Sequence, residues 1–500
     1  MRPFMVDKLI DGLDVISTTG KLPEKVVGIT QDSRLVEDDF IFAARSGSKA
    51  SAGDFIPQAV ANGAVLVITG DDLPQPQSLP VVKVADFRHA LEIVSKRVYR
   101  DPSTRLKLIC VTGTNGKTTS VHLIKSILTE AGEVCGMLST VGYDTIKRRI
   151  KPNLTTPDID LLNAMLAEMV DAGAGWAVME ASSHALQQGR LAGLHIHVGA
   201  FTNLTHEHLD FHGSLKEYAD AKAKLFAAVE KDGLSVINRG DKWSKTMIDA
   251  ARGRIITYRR CDGDADLKVK IIEQSLDGGR FRLKWGEDVF EAQTTLIGEY
   301  NAENVALAAG VTLGLGFSPA IITKGVAKLK RVPGRMEAVN CGQPFSVLVD
   351  YSHTPDALKN ALATLKSLCH KDLIVVFGCG GDRDRSKRPE MGRVAVEIAD
   401  RLVITNDNPR SEEPGIIAGE IMNGVPTRRR NRAMVELDRR EAIRRALISS
   451  REGDIILIAG KGHENYQLIS GKRHNFDDRK VAAELLARLG WNKGNTQVAR

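Results

Sequence analysis

The sequence predicts an α/β protein of three domains: a small N-terminal α/β domain (residues 1–103), a central domain built on a parallel sheet (104–331) and a C-terminal doubly wound α/β domain (332–500). A chain of 500 residues is too long for a single hydrophobic core. Short apolar runs alternate with helical patterns, as parallel sheets with crossover helices require. Two helix-breaking stretches, "YRDPSTR" (99–105) and "RVPGRME" (331–337), separate the three regions.

The first two domains show different patterns. In the N-terminal domain, the strand-like runs "VVGIT", "FIFAA", "AVLVIT" and "VVKV" alternate with the helical segments "FIPQAVANG" and "HALEIVSKRVY". In the central domain, strands and helices alternate from "LKLICVT" onward. Residues 268–298 instead alternate polar and apolar residues between turn signals, which predicts a β-rich insertion or sheet edge.

The C-terminal domain contains four apolar runs that end in glycine or polar residues: "FSVLVDYSH", "LIVVFGCGG", "RLVITNDNP" and "DIILIAGKG". Helical patterns separate these runs, so they predict parallel strands of a doubly wound sheet. In such sheets, ligands bind beyond the carboxyl ends of the strands. The polar stretch "TNDNPRSEEP" (405–414) is therefore a candidate binding loop.

Composition excludes several classes of protein. The formal charge of +7 is mild for this length, and basic residues are spread out apart from short clusters such as "PTRRRNR" (426–432), so we expect no nucleic-acid partner. Anionic small substrates fit this charge. The six cysteines form no CxxC pair, which argues against a disulfide framework or a zinc ribbon and favours a reducing cytoplasm. Without a signal peptide or an apolar run of membrane-spanning length, we expect a cytoplasmic monomer that does not bind membranes.

A phosphate-binding loop is predicted at "LICVTGTNGKTTSVHLI" in the central domain. Gly113 and Gly116 permit close backbone approach, Lys117 supplies a positive charge, and the helix that follows directs amide donors at an anion. Thr118 is placed to coordinate magnesium, as the Ser/Thr after a loop lysine does. The spacing departs from the usual pattern, since Val111 stands where the first glycine is expected. The alternative is a glycine turn that only joins strand to helix.

Two other enzyme classes remain open from the residues alone. "SVINRGDK" (235–242) resembles the base-reading motif of GTPases, although Asn- and Asp-rich turns commonly follow strands. The spacing of His206, His208, Asp210 and His212 fits a two-metal hydrolase, but misses the common pattern by one residue.

A magnesium site beside the phosphate loop is the hypothesis that we favour. Glu180 and His208 follow strand-like runs that we expect to be neighbours, so both side chains could face the phosphates of a bound nucleotide. In the helical segment "KEYADAKAKLF", Lys222 and Phe226 share one face, whereas Lys224 does not. Taken alone, Lys222 is better interpreted as a solvated helix charge.

These motifs together resemble the Mur ligases, and among them the UDP-N-acetylmuramoyl-tripeptide synthetases. The resemblance rests on "VTGTNGKTT", "TTPD", "MEASSHALQQGR", "FTNLTHEHLDFHGSLKEYADAKAKLF", "PGRME", "DYSHTPDAL", "GCGGDRDRSKRP", "TNDNPRSEEP" and "GKGHENY", in the right order over nearly the whole chain. It implies a three-domain ligase of cytoplasmic peptidoglycan synthesis that forms an amide bond with ATP as co-substrate and Mg²⁺ as cofactor. It also makes the N-terminal domain the uridine-binding domain, the central one a P-loop ATPase domain and the C-terminal one the amino-acid-binding domain.

The resemblance implies a role for individual residues. The ATP site would comprise Gly113, Thr114, Asn115, Gly116, Lys117, Thr118, Thr119, Asn301, Asn304, Arg335, Asp350 and His353. The UDP-MurNAc-dipeptide site would comprise Gln31, Ser33, Ser48, Lys49, Ala50, Thr155, Thr156, Ser182, Gln188 and Arg190. The metal site would comprise Thr118, Glu180, His208 and Lys222, with Lys222 carried as N6-carboxylysine. The catalytic residues would be Lys117, Glu180, His208 and Lys222.

The third substrate is implied to be meso-diaminopimelate, and the alternative within the family is L-lysine. "DNPR" matches the family's diaminopimelate motif, in which Arg410 offers a planar fork for a carboxylate. The diaminopimelate site would comprise Arg383, Asp407, Asn408, Pro409, Arg410, Gly460 and Glu464. A simpler interpretation pairs Arg410 with Glu412 or Glu413 at the surface. More remote alternatives are folylpolyglutamate synthetase and a non-enzymatic nucleotide switch.

Overall fold

The structure is a computed structural model that describes residues 2–47, 51–73, 78–205, 207 and 209–491. Its larger strands form three sheets, which follow one another along the chain. The α/β fold class predicted from the sequence is confirmed. The exact domain boundaries at residues 103 and 331 stay predictions.

The N-terminal region forms a mostly parallel sheet in the order β2-β7-β6-β5-β4, with β2 antiparallel at one edge and a separate pair of β1 and β3. Its elements are β1 (Phe4–Met5), α1 (Val6–Ile10), β2 (Val15–Thr19), β3 (Lys25–Val26), β4 (Gly28–Thr30), β5 (Phe40–Ala44), α2 (Ile56–Ala61), β6 (Ala64–Thr69), β7 (Val81–Val84) and α3 (Phe87–Val98). Strands β5 and β6 are almost entirely buried, because residues pack on both faces of the sheet.

The central sheet has eleven strands among the described residues, in the order β11-β10-β9-β12-β8-β13-β14-β15-β16-β17-β18. Its strands are β8 (Lys107–Thr112), β9 (Cys135–Ser139), β10 (Gly142–Asp144), β11 (Arg149–Ile150), β12 (Trp176–Glu180), β13 (Ile196–Phe201), β14 (Val229–Asn238), β15 (Arg254–Arg260), β16 (Leu267–Ser275), β17 (Gly278–Trp285) and β18 (Asp288–Thr294). Its helices are α4 (Lys117–Glu130), α5 (Ile159–Asp171), α6 (Ser183–Gln187), α7 (Leu209–His212), α8 (Leu215–Ala228), α9 (Ser244–Ala250), α10 (Asn301–Gly314) and α11 (Pro319–Lys328). The run from β9 to β16 is parallel, and β16 to β18 form an antiparallel edge where the sequence predicted one.

The C-terminal sheet has the order β19-β20-β24-β21-β22-β23, and all pairs except β19 with β20 are parallel. Its strands are β19 (Glu337–Ala338), β20 (Ser346–Asp350), β21 (Leu373–Phe377), β22 (Arg401–Ile404), β23 (Ala433–Val435) and β24 (Ile455–Ala459). A separate hairpin pairs β25 (Tyr466–Ile469) with β26 (Lys472–Asn475). Its helices are α12 (Pro355–Leu368), α13 (Lys387–Ile398), α14 (Pro414–Asn423), α15 (Arg439–Ile448) and α16 (Asp478–Arg488). The four apolar runs seen in the sequence are β20, β21, β22 and β24, and clusters of buried side chains cover both faces.

In the described part of the chain, no helix is both long enough and apolar enough to cross a membrane.

Candidate active site

The phosphate loop leaves the central strand β8 and enters helix α4 with two glycines in conformations that other residues rarely adopt. Gly113 has φ 146° and Gly116 has φ 87°. A Cβ on Gly113 would collide with Thr202 Oγ1, and one on Gly116 would collide with Asn304 Oδ1. The loop therefore needs glycine at both positions, for backbone conformation and for the close approach of its neighbours.

Lys117, the first residue of α4, folds back over the phosphate loop. Its Nζ donates hydrogen bonds to the carbonyl oxygens of Gly113 and Thr114, both at 2.8 Å. Burial lowers the pKa of Lys117, while the carboxylates of Glu180 and Glu207 oppose that shift. A half-buried lysine with nearby backbone amides is a suitable receptor for the phosphates of a nucleotide.

The polar residues after β13 anchor the phosphate loop, and sequence analysis missed them. Thr202 Oγ1 donates to the carbonyl of Asn115 at 2.6 Å, and Asn203 Oδ1 accepts from the Asn115 amide at 2.9 Å. The Thr114 amide donates to the Asn203 carbonyl at 2.8 Å. Their position directly after a strand that flanks β8 is the sequence signal that could have identified them.

A cavity of about 260 Å³ lies between the phosphate loop, helix α10 and the start of the C-terminal region. Of the residues predicted to bind ATP, its lining includes Asn115, Gly116, Thr118, Thr119, Asn301, Asn304, Arg335 and Asp350. His353 is placed differently, since its Nδ1 lies 2.8 Å from the Tyr351 carbonyl oxygen and its Nε2 lies 3.7 Å from Glu207 Oε1. The cavity thus combines residues from both sides of the predicted boundary at 331.

Arg335 connects the C-terminal region to the phosphate loop. Its Nη2 donates to Thr118 Oγ1 at 3.2 Å, and its guanidinium lies 4.8 Å from the centre of the Tyr351 ring. Its buried Nε has no hydrogen-bond partner among the described residues. A second link joins Asn115 Nδ2 to Asp356 Oδ2 at 3.3 Å. An arginine with an unused donor beside the cavity suits a phosphate oxygen.

Glu180 ends strand β12 and is only 1 % exposed. Its Oε1 accepts hydrogen bonds from Thr118 Oγ1 (2.9 Å) and from the Thr140 amide (2.8 Å), and the Thr140 hydroxyl donates to both carboxylate oxygens (3.1 and 3.2 Å). Hydroxyl and carboxylate oxygens therefore converge beside the first turn of α4, and such ligands suit Mg²⁺. Thr140, which follows β9, was not among the predicted site residues.

The expectation that Glu180 and His208 follow neighbouring strands was wrong. Strand β8 lies between β12 and β13, because the chain is wound in both directions from this central strand. The phosphate loop after β8 consequently lies between the two flanking strand ends. His206 and His208 fall outside the described residues, and no group of three or more potential metal ligands occurs within the described ranges.

The GTPase-like stretch is a structural turn. Asn238 Nδ2 donates to the Thr202 carbonyl at 2.8 Å. Asp241 accepts hydrogen bonds from the amides of Leu204 (2.9 Å) and Trp243 (2.8 Å). Both side chains are thus engaged by neighbouring backbone groups.

Lys222 lies on the inner face of helix α8 and is 1 % exposed, whereas Lys224 is exposed as the helical pattern predicted. Its Nζ lies 4.3 Å from the centre of the Tyr218 ring. Burial, and then the positive charge of Lys117, hold the pKa of Lys222 well below its usual value, while Glu207 and Asp241 oppose the shift. The amine is therefore readily deprotonated, unlike a solvated lysine.

A larger cleft of about 1,330 Å³ opens on the other side of Glu180, between the central and C-terminal regions. Its lining includes the predicted substrate residues Thr155, Ser182, Gln188, Arg190, Arg383 and Glu464. Thr156 is buried beneath it, where its Oγ1 donates to the Glu180 carbonyl (2.8 Å) and accepts from the Ser182 amide (3.0 Å). The cleft therefore brings residues predicted for the dipeptide and for the amino acid into one space.

The predicted uridine residues are held in the N-terminal region. The Gln31 amide and side chain both donate to Asp160 at 2.9 Å, and burial raises the pKa of that carboxyl. Ser33 Oγ donates to Gln58 Oε1 at 2.6 Å. Ser48, Lys49 and Ala50 lie outside the described residues, so their assignment stays a prediction.

The loop after β22 carries Arg410 in a left-handed conformation, with φ 55°. Its amide donates to the Leu468 carbonyl (2.9 Å), and its carbonyl accepts from the Ser470 amide (2.7 Å). Its Nη1 donates to the Gly381 carbonyl at 2.6 Å. Strained backbone of this kind is concentrated at functional sites. Among the ion pairs of the described residues, none joins Arg410 to Glu412 or Glu413, and Glu412 instead contacts Arg388 at 2.8 Å.

Asn408 is fixed from three directions beside Arg410. Its Nδ2 donates to Glu464 Oε2 (2.9 Å), and its Oδ1 accepts from Lys461 Nζ (3.2 Å) and from the Leu468 amide (3.0 Å). Asp407 is buried. Its Oδ2 packs so closely against Gly460 that a Cβ added to Gly460 would lie 2.6 Å from this oxygen. The seven residues predicted for diaminopimelate thus lie on three adjoining loops, and Arg383 is the exposed member.

Three buried cations behind these loops escaped sequence analysis. Arg388, Arg439 and Lys461 are 2 % exposed or less. Arg439 forms an ion pair with Asp478, and both side chains are fully buried. Arg439 also donates hydrogen bonds to the carbonyl oxygens of Asn406 and Ala459, both at 3.0 Å. It therefore ties the ends of β22 and β24 together. No local pattern distinguishes these cations from the many surface arginines and lysines.

Comparison with known proteins identifies the family. A family model described as the Mur ligase middle domain matches residues 111–312, and one described as the Mur ligase glutamate ligase domain matches residues 334–462. A relative from Syntrophomonas wolfei, named UDP-N-acetylmuramoyl-L-alanyl-D-glutamate--2,6-diaminopimelate ligase, is 42 % identical over 96 % of this chain and 98 % of its own length. A relative of the same name from Solibacter usitatus is 42 % identical over 94 % of this chain and 95 % of its own.

A solved structure of a UDP-N-acetylmuramoyl-L-alanyl-D-glutamate--2,6-diaminopimelate ligase has the same fold. It aligns with a TM-score of 0.66 and 35 % sequence identity, and covers 98 % of this chain and 100 % of its own. Proteins that share this much sequence identity over nearly their full length belong to one family. The chain therefore belongs to the Mur ligase family, within the branch of the diaminopimelate-adding ligases.

Proposed function

We propose that this protein is the ATP-dependent ligase that joins meso-2,6-diaminopimelate to the γ-carboxylate of D-glutamate in UDP-MurNAc-L-Ala-D-Glu, a step of peptidoglycan synthesis. The observation that carries the proposal is the arrangement around Glu180. The phosphate loop lies on one side of Glu180, and the large cleft lies on its other side. The lining of this cleft includes Thr155 and Ser182, which we assign to the dipeptide, and Glu464, which we assign to the amino acid. The relatives named above carry the same activity in their names.

The first chemical step is phosphoryl transfer to a carboxylate. The γ-carboxylate oxygen attacks the γ-phosphorus of ATP, and the bond from this phosphorus to the oxygen that bridges it to the β-phosphate breaks. ADP departs as the leaving group, and the D-glutamate carboxylate becomes an acyl phosphate. Two anions must meet, so the protein contributes mainly position and positive charge. Lys117, the amides at the start of α4, and the free Nε of Arg335 supply that charge on the nucleotide side.

The second step is attack by the amine. Its nitrogen bonds to the acyl carbon, and the tetrahedral intermediate expels inorganic phosphate as the carbon–oxygen bond to phosphate breaks. The nitrogen loses its extra proton, and the product is an amide. The cleft of about 1,330 Å³ is large enough to hold both the peptide end and an amino acid.

The residues present fit a magnesium ion. Thr118 and Glu180 offer hydroxyl and carboxylate oxygens beside the phosphate loop. When bound there, magnesium would neutralise charge on the phosphates. We assign His208 to the same site by family resemblance.

We also propose that Lys222 is carboxylated on Nζ. Only a neutral amine reacts with carbon dioxide, and burial lowers the pKa of Lys222 well below its usual value. Carboxylation replaces a cation close to Lys117 by an anion, which favours a nearby metal. Replacing Lys222 by alanine should lower turnover by about 100-fold, and millimolar acetate should restore part of it. Lys224→Ala is the matched control on the exposed face of α8, and equal activity of both variants would refute the assignment.

Amino-acid selection would reside in the loops around Arg410. Diaminopimelate differs from L-lysine by one carboxylate on the far end of the side chain. A site that pairs this carboxylate with Arg410 and Arg383 leaves the guanidinium groups unmatched when lysine binds. We therefore expect diaminopimelate to be used at least about 100-fold better than L-lysine in kcat/KM.

One phosphate-release assay tests the proposal. The purified protein is given ATP, UDP-MurNAc-L-Ala-D-Glu and either diaminopimelate or L-lysine, with each substrate also omitted in turn. We expect sustained phosphate release and a tripeptide product only with all three substrates. Similar kcat/KM for the two amino acids would favour the lysine-adding alternative, whereas release without amine would favour a nucleotide switch. Activity with a folylglutamate in place of the nucleotide-sugar dipeptide would favour folylpolyglutamate synthetase.

A further inference from the structure

Lys461 is a buried cation to which neither the proposed chemistry nor the family resemblance assigns a role. It lies in the loop that leaves β24, and the residue is 0 % exposed. The Glu464 amide donates to the Lys461 carbonyl at 2.9 Å, so the loop turns back and brings the two side chains together. A buried lysine charge is costly unless it is paired and hydrogen-bonded, so the partners of Lys461 indicate its role.

The Lys461 ammonium contacts two residues that we assign to the amino acid. Its Nζ donates to Asn408 Oδ1 and to Glu464 Oε2, both at 3.2 Å. Asn408 Nδ2 also donates to Glu464 Oε2, at 2.9 Å, so the three side chains form a closed triangle of hydrogen bonds. The same Nζ lies over the Tyr466 ring, 5.5 Å from its centre. Because Lys461 is buried, it can influence a substrate in the cleft only through these neighbours.

Glu464 is the member of this triangle that lines the large cleft. Its side chain is 19 % exposed, whereas that of Lys461 is 0 % exposed. Oε2 accepts both hydrogen bonds of the triangle, and Oε1 accepts none from the residues that the structure describes. The triangle therefore holds one carboxylate oxygen and leaves the other unused. A carboxylate held in this way suits an ammonium group, which donates charge-assisted hydrogen bonds.

We propose that Lys461 is a positioning residue, which holds Glu464 in the orientation that receives the distal ammonium group of the incoming diamino acid. The inference rests on the proposed function and deepens it, because it identifies what orients a residue assigned to diaminopimelate. A glutamate side chain has several rotatable bonds, and fixing them before the substrate arrives lowers the entropy cost of binding. The charge of Lys461 alone would repel an ammonium group, so a favourable effect has to come through the position of Glu464.

A substrate analogue isolates the contact with the distal ammonium group. L-2-Aminopimelate has the attacking amine and the distal carboxylate of diaminopimelate, but it lacks the distal amino group. The ratio of kcat/KM for diaminopimelate to that for 2-aminopimelate therefore measures what this ammonium group contributes. We expect a preference of about 100-fold for diaminopimelate in the wild-type protein, because 2-aminopimelate leaves the Glu464 carboxylate unmatched.

Lys461→Met removes the ammonium group from the triangle at nearly constant side-chain volume. We expect the preference for diaminopimelate over 2-aminopimelate to fall to about tenfold, through a KM for diaminopimelate that rises about tenfold while kcat stays within about threefold. Acyl-phosphate formation, trapped by hydroxylamine without any amino acid, should be unchanged. Lys472→Met, at an exposed position on the hairpin of β25 and β26, is the matched control and should keep the full preference.

A double variant shows whether Lys461 acts through Glu464. Glu464→Gln removes the carboxylate charge and should lower the same preference to about tenfold or less. Adding Lys461→Met to it should cause no further loss, because the side chain that Lys461 positions has already been changed. The double variant removes both charges of the ion pair, so its comparison with Glu464→Gln decides the question even if Lys461→Met alone does not fold.

An unchanged preference in Lys461→Met would overturn the proposal. So would a lower KM for diaminopimelate, because the charge of Lys461 would then only oppose the ammonium group. Equal losses with both amino acids, or a further loss in the double variant, would show that Lys461 merely supports the loops. A wild-type protein that ligates both amino acids equally well would refute this inference and leave the proposed function intact. One that gives neither hydroxamate nor tripeptide would refute the proposed function itself.

Discussion

The phosphate loop and the amino-acid loops are built in different ways. The phosphate loop is one continuous stretch from β8 to α4, and its glycines, lysine and threonine are adjacent in the sequence. The proposed amino-acid site combines residues 380–383, 407–410 and 460–464, which follow β21, β22 and β24. Buried ion pairs hold these loops from behind, above all Arg439 with Asp478. A local motif thus fixes its own geometry, whereas an assembled site depends on distant residues.

This difference predicts where substitutions far from the substrate are harmful. In the phosphate loop, most of the conformation comes from glycine φ angles and from bonds within the loop or to the next strand end. In the amino-acid site, loss of one buried cation should disturb two or three loops together.

The largest effect is expected from Arg439→Met. The side chain is buried, and its loss leaves Asp478 charged and without its partner in a site where both are fully buried. We expect the free energy of unfolding of the C-terminal region to fall by about 3–5 kcal/mol. Urea denaturation followed by circular dichroism measures this change. The surface pair of Arg393 with Glu397, at 50 % and 45 % side-chain exposure, gives the matched control.

The control variant Arg393→Met should change the same free energy by less than about 0.5 kcal/mol, because exposed ion pairs contribute little. If both substitutions cost the same, the amino-acid site would not depend on its buried support, and the contrast between the two regions would be lost.

The next effect concerns Lys117. In Lys117→Ala, the charge at the phosphate loop is removed, but the glycines and the bonds to Thr202 and Asn203 remain. We expect kcat for phosphate release to fall by about 100- to 1,000-fold while the thermal midpoint stays nearly unchanged. Near-normal ligation would contradict the role of the loop, and Lys245→Ala, at an 81 % exposed position, controls for the loss of a lysine.

Sequence analysis located the local parts of the site better than the assembled parts. Gly113, Gly116 and Lys117 were placed by spacing alone, because a strand, a glycine turn and a helix follow one another without interruption. Thr140 was missed because it acts on Glu180 across 40 residues of sequence. The strand order was misjudged at Glu180 for a related reason: adjacency in the chain does not reveal that β8 is inserted between β12 and β13.

The buried cations mark the other limit of sequence analysis. Arg439 and Lys461 have the same local surroundings in sequence as many exposed basic residues, and only tertiary packing removes them from water. By contrast, Arg410 could be singled out because Asn408 and Pro409 predict a turn directly after a strand. The contacts that hold it, to Gly381, Leu468 and Ser470, come from other loops and could not be predicted.

The smallest of these effects is expected from Arg410→Lys, which separates the charge of the site from its shape. Lysine keeps a positive charge but cannot present two parallel N–H groups to a carboxylate, and it lacks the planar guanidinium that donates to the Gly381 carbonyl. We expect the preference for diaminopimelate over L-lysine to fall from about 100-fold to about tenfold in kcat/KM, with the rate of acyl-phosphate trapping unchanged. Because the phosphate loop is built independently, a substitution at Arg410 should leave the first step intact. A variant that loses acyl-phosphate formation as well would show that the two regions are coupled, and a variant that keeps its full preference would place the recognition of the distal carboxylate on Arg383 instead.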